Sequence, residues 1–370
     1  MERQQGFRRV CPPADRETVR GTFYWRVDPQ DPDPAVIAAA AAVIRRGGLV
    51  AFPTETVYGL GADATNGAAV RRIFAAKGRP ADNPLIVHIS AMDELRPLVR
   101  DVPDVARALA GAFWPGPLTL VLPAAPSLPR EVTAGLDTVG VRMPDHPVAL
   151  ALIRAAGVPL AAPSANASGR PSPTTAAHVL DDLGGRIDAV LDGGPAPVGV
   201  ESTVLDLTAT PPAVLRPGGV TVEQLEAVLG RAAVADRKGE NGGPPRSPGM
   251  KYRHYAPRTP LVLFEGPPPA VAEAIRRRAA EARAAGRRAV VLAAPETAGL
   301  YAPEPVVVTG PRDRPDKVAA ALYDALRRAD AAGADVILAE GPAPGGLGGT
   351  VLERLRRAAT EIVLSKGPGP

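Results

Sequence analysis

Residues 49–90, LVAFPTETVYGLGADATNGAAVRRIFAAKGRPADNPLIVHIS, decide the fold of the first half of the chain. They read as strand, polar turn, helix, cationic loop and strand. The apolar run 49–52 stops at Pro53, which holds the residue before it extended, so the hydroxyls and carboxylate of Thr54, Glu55 and Thr56 stand at a strand end, where a pocket wall is expected. GLGADA at 59–64 comes several residues after that strand and reads as a turn. Val70, Ile73 and Phe74 recur at helical spacing, and Gly78 can end the helix in a left-handed conformation, with Lys77 and Arg79 flanking its last turn. In the next run Leu85, Val87 and Ile89 share one face of a strand, and Ile86, His88 and Ser90 share the other. Singly, each feature has an ordinary explanation: cations complement a helix C-terminus, and threonines are good strand formers. Their order and spacing together point to a site.

Outward from this stretch, a chain of 370 residues is long enough for two domains, each with its own core. Aromatics make up only 4%, so the cores must be built from Ala, Val and Leu. The 43 prolines and 38 glycines are scattered between periodic apolar segments, which argues against disorder. A net charge of +4 permits an RNA or nucleotide partner without requiring one. Cys11 is the single cysteine, which excludes an intrachain disulfide and a zinc cage; with no signal-peptide core and no apolar run able to span a bilayer, the expected compartment is the cytoplasm, with no membrane partner.

Residues 1–29 show no clear period and read as an N-terminal extension. The expected catalytic domain covers 30–230. Within it, 35–46 is an alanine-rich helix closed by Gly47 and Gly48, and 91–113 reads as one helical stretch with Leu95, Leu98 and Val99 buried. Strands are expected at 118–122, 138–143, 159–162, 189–192 and 202–207. On the strand 138–143, Thr138, Gly140 and Arg142 share a face that suits close approach by an anion, although a solvated edge strand has the same spacing. PSANASGRPSPTT crowds Ser164, Asn166, Ser168 and Ser172 into a loop that either binds phosphate or caps a following helix at 175–183. Thr221 and Gln224 form a capping box.

Residues 231–257 have a linker's composition, yet they end in SPGMKYRHYAP, richer in aromatic and cationic groups than a passive tether needs. From 258 to 370 strands (261–264, 288–292, 306–308, 336–339) alternate with helices (271–285, 317–331, 350–359), with a GLGGT turn before the last. This implies a smaller Rossmann-like parallel α/β domain. The arginines at 276–278 and 287–288 read as solvated surface, with weak RNA contact the lesser reading.

The chemistry is narrowed by exclusion. No Gly-Lys pair exists for a Walker A loop, no HExxH for a metalloprotease, and no G-x-S-x-G elbow for a serine hydrolase. A basic, hydroxyl-rich cleft without an obvious nucleophile suits adenylation, where a carboxylate or carbamate attacks the α-phosphate of ATP. Lys77, Arg79, Arg142, Arg216 and a magnesium ion could carry the phosphate charge.

PTETVYGLG, KGRP, NPLIVHI, FWPGPLT, VGVRMP, PSANASG, ESTV and LRPG stand in the order in which they occur in the YrdC-like family of threonylcarbamoyl-AMP synthases, and the chain closely resembles that family. RHYAP and GLGGTVLERLRRAA resemble its long, two-domain form. The resemblance implies a YrdC-like twisted open mixed sheet with helices. It also implies synthesis of L-threonylcarbamoyl-AMP and pyrophosphate from L-threonine, bicarbonate and ATP, with a tRNA threonylcarbamoyl transferase complex as the downstream partner. By motif, threonine would be held by Thr56, His88, Arg142 and Ser202. ATP would be held by Lys77, Arg79, Asn83, Thr138, Ala162, Ser164, Asn166, Ser172, Arg216 and, from the linker, Tyr255. Arg170 competes with Ser172 for its assignment. His88 and Lys77 are the candidate catalytic groups, and Mg²⁺ would arrive on the ATP phosphates. Because a carbamate loses carbon dioxide readily, the linker is expected to close over the pocket through Tyr255.

Two other readings are a carbamoyl-adenylate-forming enzyme, whose relatives carry a zinc finger that one cysteine cannot build, and a non-catalytic module that binds double-stranded RNA or tRNA. The second predicts salt-sensitive RNA affinity without ATP turnover.

Overall fold

A computed structural model describes residues 16–230, 235–236 and 254–365. The rest of the expected linker, including Lys251, Tyr252 and Arg253, lies outside the described residues, as does Cys11.

The stretch 49–90 folds as strand, strand, helix, strand. Val50–Phe52 is followed by an antiparallel partner at Gly59–Asp63, in the segment expected to be a turn. The reason is tertiary. A Cβ on Gly61 would sit 2.8 Å from the Phe52 ring, and one on Gly59 3.2 Å from it, so the absence of side chains makes room for an aromatic ring in the core. The helix Gly67–Lys77 is capped by the Asn66 side chain and ends at Gly78, which adopts the expected left-handed conformation (φ 61°). Ile86–His88 closes the stretch as a buried strand.

Among the described residues these strands belong to a 12-stranded mixed sheet. Two of its strands, Arg16–Val19 and Thr22–Arg26, come from the expected N-terminal extension. They pair as a hairpin about Arg20 and Gly21, both at positive φ, and the second runs parallel to Ala189–Asp192. Trp25 ties this hairpin to the core, buried in the same apolar cluster as Ile37 of the helix Pro34–Arg45. That helix lies against Pro147–Ala156, a helix the sequence reading passed over, in a core rich in fully buried alanines such as Ala40 and Ala41. Small side chains let the two backbones approach closely. The single helical stretch expected over 91–113 is a 3₁₀ segment, Met92–Leu98, and a separate helix, Asp104–Phe113, with Pro103 at the break.

The second domain is a five-stranded, all-parallel sheet with helices on both faces. Its fifth strand, Glu361–Leu364, was not anticipated, and GLGG forms the first turn of the helix Gly346–Ala358 rather than a turn before it. Helices Pro315–Ala331 and Gly346–Ala358 face the first domain. The loop at Gly199 (φ 76°) approaches so closely that a Cβ there would fall 2.4 Å from the Ala319 carbonyl. Buried Asp182 of the first domain pairs with Arg327 of the second at 2.8 Å and with Arg170 at 2.6 Å.

Candidate active site

Strands Ile86–His88 and Thr138–Arg142 run parallel with His88 opposite Arg142, so both side chains leave the sheet on the same face at the same level. They reach one cavity, shared with Thr56 and Ser202. Thr56 Oγ1 lies 2.8 Å from Thr54 Oγ1, and Ser202 Oγ lies 2.8 Å from Thr119 Oγ1. Arg142 stands 2.6 Å from the Glu55 carboxylate, close but not aligned as a hydrogen bond, while its Nε donates to the Gly116 carbonyl at 3.2 Å. Burial, with the Arg142 charge beside it, holds His88 down to about 3. Its imidazole is therefore neutral at any working pH, and its buried Nδ1 has no hydrogen-bond partner.

The other side of the cavity is cationic. Lys77 ends its helix fully inside the protein, with Nζ donating to the carbonyls of Ser164 and Asn166. Burial and then the neighbouring Arg79 lower its pKa well below the usual lysine range. Burial brings Arg79 down to about 10, and its guanidinium reaches the carbonyls of Asn83 and Pro84 at 3.4 and 3.2 Å. Arg216, at the end of the strand Ala213–Arg216, donates to the Ser202 carbonyl at 2.9 Å and to its hydroxyl at 3.2 Å. Ser164 Oγ donates to Asn166 Oδ1 at 2.6 Å, and the Asn166 amide in turn braces the loop by donating to the carbonyls of Ala167 and Arg170. These groups leave a hydroxyl-lined pocket whose walls offer guanidinium and amine nitrogens to an anion.

Tyr255 closes one side. It holds a positive φ of 64°, costly for a tyrosine, and its ring stacks on Tyr323 at 5.6 Å with the Arg354 guanidinium 5.0 Å from its centre. Ser172 Oγ donates to Glu201 at 2.6 Å, and Glu201 also accepts from Tyr323 at 2.9 Å and from Arg354 at 2.9 Å. Burial alone would raise the Glu201 carboxyl, but Arg354, Arg216 and the Ser172 hydroxyl outweigh it and hold the group at about 2.

A family model described as "Telomere recombination", covering the Sua5, YciO and YrdC proteins, matches residues 42–218. A second, for the C-terminal domain of threonylcarbamoyl-AMP synthase, matches residues 220–360. The Bacillus subtilis threonylcarbamoyl-AMP synthase is 52% identical over 91% of this chain and 98% of its own length. That of Pyrococcus abyssi is 50% identical over 87% and 94%. The chain belongs to the threonylcarbamoyl-AMP synthase family. The crystal structure of P. abyssi Sua5 complexed with L-threonine superposes with a TM-score of 0.87 at 47% identity, covering 93% of this chain and 99% of that one.

In this synthase-family chain most of the residues expected from the motifs meet at the one cavity. Thr56, His88, Arg142 and Ser202 line it, as do Lys77, Arg79, Ala162 and Ser164, and Asn166, Ser172, Arg216 and Tyr255 complete the set. Arg170 lines it too, beside Ser172 rather than in its place. Two expected residues do not reach it. Asn83 is buried behind Arg79, meeting that guanidinium through its carbonyl. Thr138 sits opposite Pro123 at the far end of its strand, about 13 Å from Arg142 by strand rise, and is not among the residues that line the cavity. Glu201, Tyr323 and Arg354 were missed as individuals, although ESTV and GLGGTVLERLRRAA had marked two of their segments.

The synthase-family site offers no carboxylate cage for magnesium. Its nearby carboxylates, Glu55 and Glu201, are engaged by Arg142 and by Arg354 with Tyr323, and no group of three His, Cys, Asp or Glu residues suited to a metal occurs among the described residues. Among the described residues no helix is long and apolar enough to cross a membrane.

Proposed function

We propose that the chain converts L-threonine, bicarbonate and ATP to L-threonylcarbamoyl-AMP and pyrophosphate. The observation that carries this reading is the convergence of Arg79, Arg142, Arg216 and Lys77 with the uncharged His88 in one buried, hydroxyl-lined cavity. The threonine amine takes up bicarbonate to give a carbamate and water. A carbamate oxygen then attacks the α-phosphorus, and pyrophosphate leaves. The protein's part is alignment and charge: guanidiniums face the phosphate oxygens, and burial strengthens their attraction. Lys77, whose charge burial opposes, regains a reason to hold its proton when a phosphate arrives beside it.

The likeness to a P. abyssi Sua5 structure complexed with L-threonine supports threonine as a substrate, and we assign it to Thr56, His88, Arg142 and Ser202 on the motif resemblance and their shared cavity. A pKa near 3 makes His88 a poor proton acceptor, so we read it as a hydrogen-bond partner of the substrate, with the phosphates as the proton's destination. Magnesium enters as the companion of the ATP phosphates. Tyr255 serves as the closing contact that excludes water from the carbamate. The product passes to a tRNA threonylcarbamoyl transferase that modifies adenosine next to the anticodon, in the cytoplasm.

The test is pyrophosphate release by the purified chain with ATP and magnesium, adding or omitting threonine and bicarbonate. Release that requires both is expected. Release indifferent to threonine, or none with all substrates present, overturns the reading.

A further inference from the structure

We infer that Arg354 of the second domain is a positioning residue of the active site, holding the nucleotide end of the cavity in shape from outside it. The inference rests on the reading above, in that Ser172, Arg216 and Tyr255 are taken as nucleotide contacts. Arg354 is not a cavity-lining residue, yet its side chain is wholly buried, and although one Nη pairs with Glu353 on its own helix, its other donors go to segments that meet at the cavity. Nε donates to Glu201 at 2.9 Å, and the other Glu201 oxygen takes the Ser172 hydroxyl at 2.6 Å. One Nη donates at 2.7 Å to the carbonyl of Pro217, the residue after Arg216. The guanidinium face meets the Tyr255 ring. Tyr323, from the neighbouring helix of the same domain, repeats the pattern by donating to Glu201 and stacking on Tyr255.

A buried guanidinium without its carboxylate is costly, so stability alone could account for a pair. It does not account for one arginine addressing three separate segments that meet at the cavity. Docking of the second domain therefore sets the Ser172 hydroxyl, the Arg216 backbone and the Tyr255 ring in one step. No hydrogen bond or ion pair joins Arg354 to the strands Ile86–His88 and Thr138–Arg142, and it reaches the threonine end only indirectly, through Ser202, which follows Glu201 in the chain and accepts from Arg216, so ATP should respond far more than threonine to its loss.

The experiment uses the full chain and measures ATP and L-threonine binding separately by calorimetry, with thermal midpoints alongside, for wild type, Arg354→Lys, Arg354→Gln, Glu201→Gln and the double variant. Loss of charge-assisted hydrogen bonds predicts that Arg354→Gln weakens ATP by about 10–100-fold while threonine changes less than about twofold. Arg354→Lys, which keeps the charge, should recover part of the ATP affinity. The double variant, which removes both members of the pair, should bind ATP no worse than either single one. ATP affinity within about twofold of wild type in Arg354→Gln, equal losses for both ligands, or additive losses in the double variant would each overturn the inference. Should Arg354→Gln fail to fold, Arg354→Lys and the double variant decide it. Binding needs no turnover, so a wild-type chain that binds ATP but releases no pyrophosphate sinks the reaction and leaves Arg354 to be judged; one that binds no ATP sinks both.

Discussion

His88 and Arg142 occupy the same rung of two parallel strands, and the guanidinium charge is one reason the imidazole stays neutral. An unfolded histidine titrates near 6.5, whereas burial and Arg142 hold the folded one to about 3. Between those values only the unfolded chain takes up the proton. This contribution to stability is complete above pH ~6.5 and is lost as pH falls toward 3, an amount on the order of 5 kcal/mol across the whole window. Replacing His88 by Gln should flatten the dependence of the thermal midpoint on pH between about 4 and 6.5. Parallel profiles for variant and wild type would mean that the imidazole is not held neutral.

Lys77 illustrates a charged side chain recruited to the interior by backbone. Its amine satisfies the carbonyls of Ser164 and Asn166 and so fixes the loop that carries both residues. In Lys77→Met those carbonyls lose their donor, at about 1–3 kcal/mol for each one left unpaired. Urea unfolding should show the loss, and pyrophosphate release should fall by roughly 10²–10³-fold if the amine also faces phosphate. Arg in its place does not fit a seat made for one compact ammonium, and Lys77→Arg should recover little activity. Near wild-type stability in Lys77→Met would contradict the bracing role.

Asp182 carries the docking of the two domains in a different way. Its side chain is fully buried, receives Arg170 from its own domain and Arg327 from the other, and Arg327 also donates to the Pro171 carbonyl at 2.6 Å. Asp182→Asn leaves Arg327 without its carboxylate and Arg170 with only the more distant Asp330 at 3.5 Å, and breaking a buried pair typically costs about 3–5 kcal/mol. Guanidinium unfolding should show that loss, with the second domain melting first as a separate transition. A single unshifted transition would show that Asp182 does not carry the docking of the two domains.

The parts of this site that local periods encode were legible in the chain, and the parts made by distant pairing were not. Alternation over 85–90 put His88 on the face opposite Leu85, Val87 and Ile89, and the structure has it so. Gly78 and the Thr221–Gln224 box ended and began helices as their chemistry requires. The strand Gly59–Asp63 was illegible because its glycines answer to the Phe52 ring across the sheet rather than to any local turn. That His88 and Arg142 share a rung depends on the pairing of two strands that are not consecutive in the chain. Arg354 reads as one of several arginines on a polar helix, and only the docked first domain, with Glu201 153 residues away, reveals it as fully buried.

Tyr255 makes the last prediction a test of ring against hydroxyl. The contacts that seat it are the Tyr323 stack and the Arg354 guanidinium, both to the ring, and they hold a backbone conformation that tyrosine otherwise avoids. An aromatic pair and a desolvated cation–π contact contribute about 0.5–2 kcal/mol each. Tyr255→Phe keeps both and should bind ATP and yield product within about twofold of wild type. Tyr255→Ala loses both, and about tenfold weaker ATP binding follows. Its product yield should drop further than its ATP affinity, because an open pocket lets the carbamate decompose before it reaches phosphorus. Comparing product formed at saturating ATP with the measured ATP affinity separates the two effects. If Tyr255→Ala keeps both its affinity and its yield at saturating ATP, the residue is a bystander to closure; if Tyr255→Phe fails as badly as Ala, the hydroxyl acts on substrate and the closing role belongs elsewhere.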